Sequence, residues 1–170
     1  MEARNNILIL DKINIQERIR RIAYQILEDC FEDEELVLAG LAERGYIFAQ
    51  RLANELSLIC DKSILLISLD IDKQGSVLDG RADIPVEQAT NKAVILIDDV
   101  LNSGRALAYG LGMFLDIPLK KMRTAVLIDR SHRKFPIVTD FTGLQLSTVL
   151  NEQVSVHFEE IDGEDAAYLN

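Results

Sequence analysis

The chain has 170 residues, 48% hydrophobic and 27% charged, a composition that fits one globular domain with a substantial core. A formal net charge of -10 disfavours nonspecific nucleic-acid binding, and two cysteines with two histidines give almost no basis for a zinc site. No apolar run is long enough to span a membrane and residues 1–10 lack a secretory signal, so a cytoplasmic protein is expected.

Residues 14–30 read as an amphipathic helix. Ile15, Ile19, Ile22, Ala23, Ile26 and Leu27 recur at helical spacing, and Asn14 with Glu17 suits a capping arrangement. The acidic run 32–35 ends it. Residues 36–39 predict a short buried strand, 40–45 a turn and 46–56 a helix, followed by a second buried strand at 64–69. The polar connection 70–92 contains Gly75, Gly80 and Pro85, and its length is typical of a functional flap. A strand at 94–97, a helix at 104–115 and a strand at 124–128 come next, with an alternating late strand at 154–158. Strands and helices taking turns predict an α/β fold with a mainly parallel sheet covered on both faces. No internal repeat or second domain is visible. Cys30 and Cys60 are expected as reduced, partly buried thiols, with one disulfide as the alternative.

Chemistry concentrates between Val94 and Ala106. Val94, Ile95, Leu96 and Ile97 deliver Asp98 and Asp99 to a strand's C-terminal end, where open α/β sheets bind ligands. Asn102, Ser103 and Gly104 then precede a helix, so backbone N–H groups can converge on an anion with help from the helix dipole. Gly104 allows close backbone approach. A ribose 5-phosphate suits this arrangement, its phosphate in the loop and its hydroxyls against the carboxylates. The same spacing also suits two solvated acids before a helix cap.

This stretch resembles the phosphoribosyl pyrophosphate signature of type I phosphoribosyltransferases: an apolar run, two acids, an apolar pair, a small loop and Ser-Gly. The run Ile128-Asp129-Arg130-Ser131-His132-Arg133-Lys134-Phe135-Pro136-Ile137, followed by Asp140-Phe141-Thr142-Gly143, resembles the PyrR-type branch. That branch couples uracil phosphoribosyltransferase activity to control of pyrimidine-operon transcripts. The acidic tail Glu159-Glu160-Ile161-Asp162-Gly163-Glu164-Asp165 and the opening helix with Arg21-Ile22-Ala23 fit the same family, so the resemblance covers nearly the whole chain, most weakly at 70–81.

The resemblance implies a type I phosphoribosyltransferase fold over residues 1–170: a central, mainly parallel sheet flanked by helices, with a small hood formed by the N-terminal segment and about residues 129–155. The implied reaction transfers ribose 5-phosphate from phosphoribosyl pyrophosphate to a nucleobase. Uracil, giving UMP, is the first choice, with guanine or hypoxanthine as alternatives. By position, Asp98 and Asp99 would contact the ribose hydroxyls. Val100, Leu101, Asn102, Ser103, Gly104, Arg105 and Ala106 would surround the 5-phosphate. Arg44, beside Glu43 and Gly45, falls in the pyrophosphate loop, and Arg130, His132 and Arg133 in the segment that receives the base. Mg²⁺ would be held through the substrate near Asp98 and Asp99, and a homodimer or larger homo-oligomer is implied.

Several positions depart from the family pattern. Ala106 stands where Thr is common, removing a hydroxyl whose bond to a phosphate is worth roughly 1.5–3 kcal/mol. Ala42 replaces a basic residue, and Glu43 puts a carboxylate beside Arg44, facing the ligand, pointing outward or pairing with Arg44. Ser68-Leu69-Asp70-Ile71-Asp72-Lys73 replaces the Tyr-Arg-Asp-Asp-like start of a longer flap. Ala42, Glu43 and the short flap favour a second reading, a catalytically weakened nucleotide sensor that touches RNA or another protein. RNA contact is itself disfavoured by the charge of -10 and by Val138 and Leu144, where regulatory relatives often carry basic residues. Arg18, Arg20, Arg21, Arg133 and Lys134 keep it open. A receiver-like phosphoacceptor pocket is a third reading, without a clear late lysine. His132 suits either ligand contact or loop support; His157, Tyr24, Tyr46 and Phe48 read as structural.

Overall fold

The computed structural model describes residues 6–71, 79–149 and 151–170. β1 (Ile7–Leu10) leads into α1 (Lys12–Asp29), whose buried stripe Ile15, Ile19, Ile22, Ala23 and Ile26 is the one the periodicity predicts. The helix starts earlier than expected. Asp11, not Asn14, is the N-cap, and its carboxylate accepts the Asn14 N–H at 2.8 Å. An acid at this position also complements the positive end of the helix dipole.

β2 (Glu35–Leu41) passes without an intervening turn into α2 (Ala42–Ile59), correcting the turn expected at 40–45. The reversal is concentrated at Ala42, which adopts φ +54°. β3 (Ser63–Ile71) is met by the short antiparallel β4 (Gly80–Ala82), with Asp70 opposite Arg81. The expected flap connection thus begins and ends as a hairpin stem, with a 3₁₀ turn at Val86–Ala89 after it. Residues 72–78, with Gly75 and the Asp72-Lys73 pair, lie outside the described residues.

β5 (Ala93–Leu101), α3 (Arg105–Gly112), β6 (Lys121–Asp129) and β7 (Phe141–Gln145) complete the main sheet. Its order is β4-β3-β2-β5-β6-β7, parallel except for β4. Side chains alternate across it. Leu36, Leu38, Ile95, Ile97, Ala125 and Leu127 pack with α1 and α2. Val37, Ala39, Leu41, Val94, Leu96 and Val126 pack on the other face with Leu107 and Phe114. Burial on both faces is why these strands read as unbroken apolar runs.

A second sheet, ordered β1-β9-β8, is antiparallel and joins β1 to β8 (Val154–His157) and β9 (Ala166–Leu169), with the short helix α4 (Glu159–Asp162) between the last two. Of the segments expected to form a hood, the N-terminal one contributes β1 to this sheet, and the span 129–155 contributes Val154 and Ser155 of β8, while residues 141–145 pair into the main sheet. Among the described residues, no helix is long and apolar enough to cross a membrane.

Candidate functional site

Chain order reverses direction across the sheet between β2 and β5, which are hydrogen-bonded neighbours. A crevice forms at such a switch point, beyond the C-terminal ends of the strands. Both phosphate-directed segments predicted from sequence, 41–45 after β2 and 98–106 on and after β5, arrive there.

Asp98 is 2% exposed and its Oδ1 accepts the Asp99 N–H at 3.0 Å. β5 continues through Leu101, so the two acids are successive strand residues rather than loop residues. Successive strand side chains face opposite sides. Asp98 accordingly borders one cavity of about 270 Å³, formed with Val100 to Leu107, and Asp99 borders another of about 270 Å³. The cavities share Val100 and Asn102, so one elongated ligand can meet both acids.

The first cavity opens at the N-terminus of α3. Gly104 takes φ +84° as the N-cap of α3, a conformation that strains any residue with a Cβ. The first-turn amides of a helix have no intrahelical acceptor and point at whatever lies before the N-terminus; in α3 the first of them, Arg105 N–H, donates to Ser103 Oγ at 3.3 Å. Two carbonyl oxygens of this stretch have backbone partners. Ser103 O accepts from Lys134 N at 2.8 Å and Phe135 N at 3.0 Å, and Leu101 O accepts from Arg130 N at 3.1 Å. Ala106 lines this cavity with no hydroxyl to offer.

The second cavity lies between Arg44 on α2, Asp99, Val100 and Asn102 on the β5 side, and Val154, Ser155, Val156 and His157 of β8. Arg44 donates from Nε to Val156 O at 2.9 Å and from Nη2 to Asp162 Oδ1 at 2.6 Å. Glu43 is exposed in the first turn of α2, and Gly45 is buried against β5.

Arg130, His132 and Arg133, expected in the segment that receives the base, follow β6 directly. Neither cavity is lined by them. Arg130 donates to Asn102 Oδ1 at 3.0 Å, to Thr148 Oγ1 at 3.3 Å and to Glu152 O, tying the phosphate loop to the segment before β8. His132 Nε2 lies 2.6 Å from Thr148 O, which favours the loop-support reading of that residue. Arg133 pairs with buried Asp129 and donates to Ile137 O at 2.7 Å.

The wall they leave is supplied by β8, which sequence reasoning had only as a late strand. Its position at the crevice depends on pairing with β9, and no residue type advertises it. His157, read as structural, lines the cavity while its ring packs edge-on to Tyr168 at 5.2 Å and pairs with Glu164 at 3.1 Å. Of the other residues read as structural, Phe48 is fully buried and Tyr24 is 53% exposed on the surface of α1.

No group of three or more His, Cys, Asp or Glu residues among those described is arranged to hold a metal ion. The donors at the site are the carboxylates of Asp98 and Asp99. Hard oxygen donors in this small number fit a Mg²⁺ shared with substrate phosphates rather than caged by protein.

Comparison with known proteins bears on all of this. The model of the phosphoribosyl transferase domain family matches residues 8–159. A protein called bifunctional protein PyrR in Pelotomaculum thermopropionicum is 37% identical over 175 residues, covering 98% of this chain and 97% of the relative. Its namesake in Latilactobacillus sakei subsp. sakei is 38% identical over 169 residues, covering 92% and 93%. Among solved structures, a hypoxanthine phosphoribosyltransferase from Trypanosoma cruzi superposes with TM-score 0.80 at 17% identity, covering 98% of this chain and 95% of that one. A hypoxanthine-guanine phosphoribosyltransferase from Bacillus anthracis gives 0.74 at 22% identity, covering 95% of each.

Proposed function

From the premise that this chain belongs to the phosphoribosyl transferase family, as a PyrR-like member with the type I fold, we propose that it transfers ribose 5-phosphate from phosphoribosyl pyrophosphate to uracil, releasing UMP and pyrophosphate. One observation carries the reading: two successive acids, Asp98 and Asp99, stand between an anion cradle at the start of α3 and a second cavity edged by Arg44. A sugar bearing a phosphate at one end and a pyrophosphate at the other matches that order of charges.

In this reading the amides around Ser103 to Ala106 hold the 5-phosphate, and the two carboxylates accept hydrogen bonds from the ribose hydroxyls. The bond from the anomeric carbon to a pyrophosphate oxygen breaks as one forms to a uracil nitrogen, whose proton is lost. Positive charge builds on the sugar meanwhile, and the nearby carboxylates stabilise it electrostatically. Arg44 faces the departing pyrophosphate. Asp98 and Asp99, together with substrate oxygens, would hold Mg²⁺, which would supply neutralisation of the leaving group. The edge strand β8 offers backbone groups to the base, and fixed positions on both walls supply the orientation. The choice of uracil rests on the PyrR resemblance, since structural likeness below 25% identity speaks for the fold alone.

A nucleotide sensor with weakened catalysis is the second reading, favoured by Ala106 in the cradle and Glu43 at the mouth of α2. RNA contact is disfavoured within either reading. Arg20 pairs with Glu55, Arg21 donates to Thr142 and Gly143 carbonyls, and Arg133 pairs with Asp129, which leaves fewer basic groups for phosphates. Cytoplasmic residence and a homo-oligomer complete the proposal.

The test is pyrophosphate release by purified protein with Mg²⁺, phosphoribosyl pyrophosphate and each nucleobase in turn. Turnover with uracil is expected. No turnover with any base, alongside measurable UMP binding, would replace the enzyme with the sensor. The Asp98→Asn, Asp99→Asn double variant is expected to stay folded and lose ribose-phosphate binding; retained affinity would show that the site lies elsewhere.

A further inference from the structure

Arg44 does not approach the second cavity as a loose side chain. Two of its donors, Nε and Nη2, form one edge of the guanidinium, and both are engaged by the C-terminal segment. Val156 O takes the first at 2.9 Å and Asp162 Oδ1 the second at 2.6 Å. Asp162 is itself fixed, because its Oδ2 accepts the Phe158 N–H at 2.9 Å. Its side chain is 18% exposed, and that of Arg44 36%.

The same turn is anchored again one face-repeat along α2. Arg51 pairs with Glu160 and Asp165, and its guanidinium lies 4.8 Å from the centre of the Phe158 ring. Positions 44 and 51 share a helix face, so residues 156–165 lie along α2 and grip both arginines.

A planar guanidinium held along one edge can turn only its other edge outward. For Arg44 that edge is Nη1 with the second hydrogen of Nη2, and Arg44 forms part of the cavity wall with Asp99 and Asn102. Resting on the transferase reading above, we infer that Asp162 is a positioning residue for pyrophosphate. It presents Arg44 to the leaving group end-on, in one orientation, and prevents side-on capture. Asp162 lies three residues beyond the stretch 8–159 that the family model matches. The arrangement makes the pyrophosphate subsite depend on the C-terminal segment, although the arginine itself comes from the β2–α2 junction.

The experiment measures binding of Mg²⁺-pyrophosphate and of phosphoribosyl pyrophosphate by calorimetry, with KM for each substrate alongside, in wild type, Asp162→Ala, Asp162→Asn and Glu160→Gln. Asp162→Ala is expected to weaken pyrophosphate binding about tenfold, the effect of losing one charge-assisted hydrogen bond that orients a ligand group. KM for the base should rise by a smaller factor in the same protein, since β8 stays paired with β9 although Arg44 also bonds Val156 O in that wall. Asp162→Asn keeps one acceptor oxygen where two are in use, so its pyrophosphate affinity should fall between those of wild type and Asp162→Ala. Glu160→Gln loosens the same turn through Arg51 and should leave pyrophosphate binding unchanged. Wild-type affinity in Asp162→Ala, or an equal loss in Glu160→Gln, would overturn the positioning role. Silence of the wild-type protein toward both pyrophosphate ligands is a different result, one that overturns the transferase reading and this inference together.

Discussion

Gly45 packs directly on the strand that carries Asp98: a Cβ at Gly45 would lie 2.9 Å from the Ile97 carbonyl oxygen and 3.4 Å from Asp98 Oδ1. The start of α2 and the acid of β5 are therefore in contact, and that contact sets the distance between Arg44 and Asp98. Gly45→Ala is expected to fold, since the clash falls at the open end of the sheet. It should weaken phosphoribosyl pyrophosphate binding by about tenfold or more, because a displacement near 1 Å is enough to misplace a binding group. Calorimetry beside a thermal melt checks this, and unchanged affinity would show that the two segments move independently.

Glu43 has two opposed effects. In the first turn of α2 its carboxylate complements the helix dipole, worth about 0.3–1 kcal/mol at an exposed position. Near a pyrophosphate the same charge repels, by about 1 kcal/mol per unit charge at 4 Å in a water-like dielectric. Glu43→Thr should therefore bind pyrophosphate several-fold more tightly while melting slightly lower. A rate and affinity equal to wild type would mean that this carboxylate points away from the ligand.

Asp33, 4% exposed, sits at the opposite end of the sheet between Lys120 and Lys121, with Lys121 at 3.0 Å from Oδ2. Burial alone would raise its pKa, but the hydrogen bonds and charges of the two lysines outweigh burial and hold it below the ordinary 3.8. A depressed folded-state pKa stabilises the protein above the unfolded value and stops doing so as pH falls through the folded one. Asp33→Asn should lose roughly 1.5–3 kcal/mol at pH 7. The gap to wild type should close as pH falls below about 4. Urea denaturation across that range measures it; a gap independent of pH would assign the effect to packing.

Cys30 is fully buried, and burial pushes its thiol up to about 11, while Cys60 is half-buried with its Sγ 3.2 Å from Leu56 O. The thiolate is the reactive form, so at pH 8 roughly a thousandth of Cys30 is available even before steric protection. A disulfide-exchange reagent at pH 8 should titrate one thiol, Cys60, in the native protein and both in urea. Two fast native thiols would contradict the packing of Cys30 beneath α1.

Much of this molecule was legible from local pattern. The stripe of α1, the apolar runs of β2, β5 and β6 and the strand–loop–helix from β5 to α3 could all be read, because each is specified by residues adjacent in sequence. Asp98, Asp99, Ser103 and Gly104 lie within seven positions and meet through a single strand–loop–helix. The tertiary structure alone decided the rest of the site. Arg44 and Asp162 are 118 positions apart, and Arg130 joins Asn102 to Thr148 across separate segments. The second cavity gained its wall from β8, whose place is set by pairing with β9. Periodicity reports which face of an element is buried, but partner choice is a long-range energetic outcome. Four-residue strands such as β8 and β9 carry too few side chains to announce it.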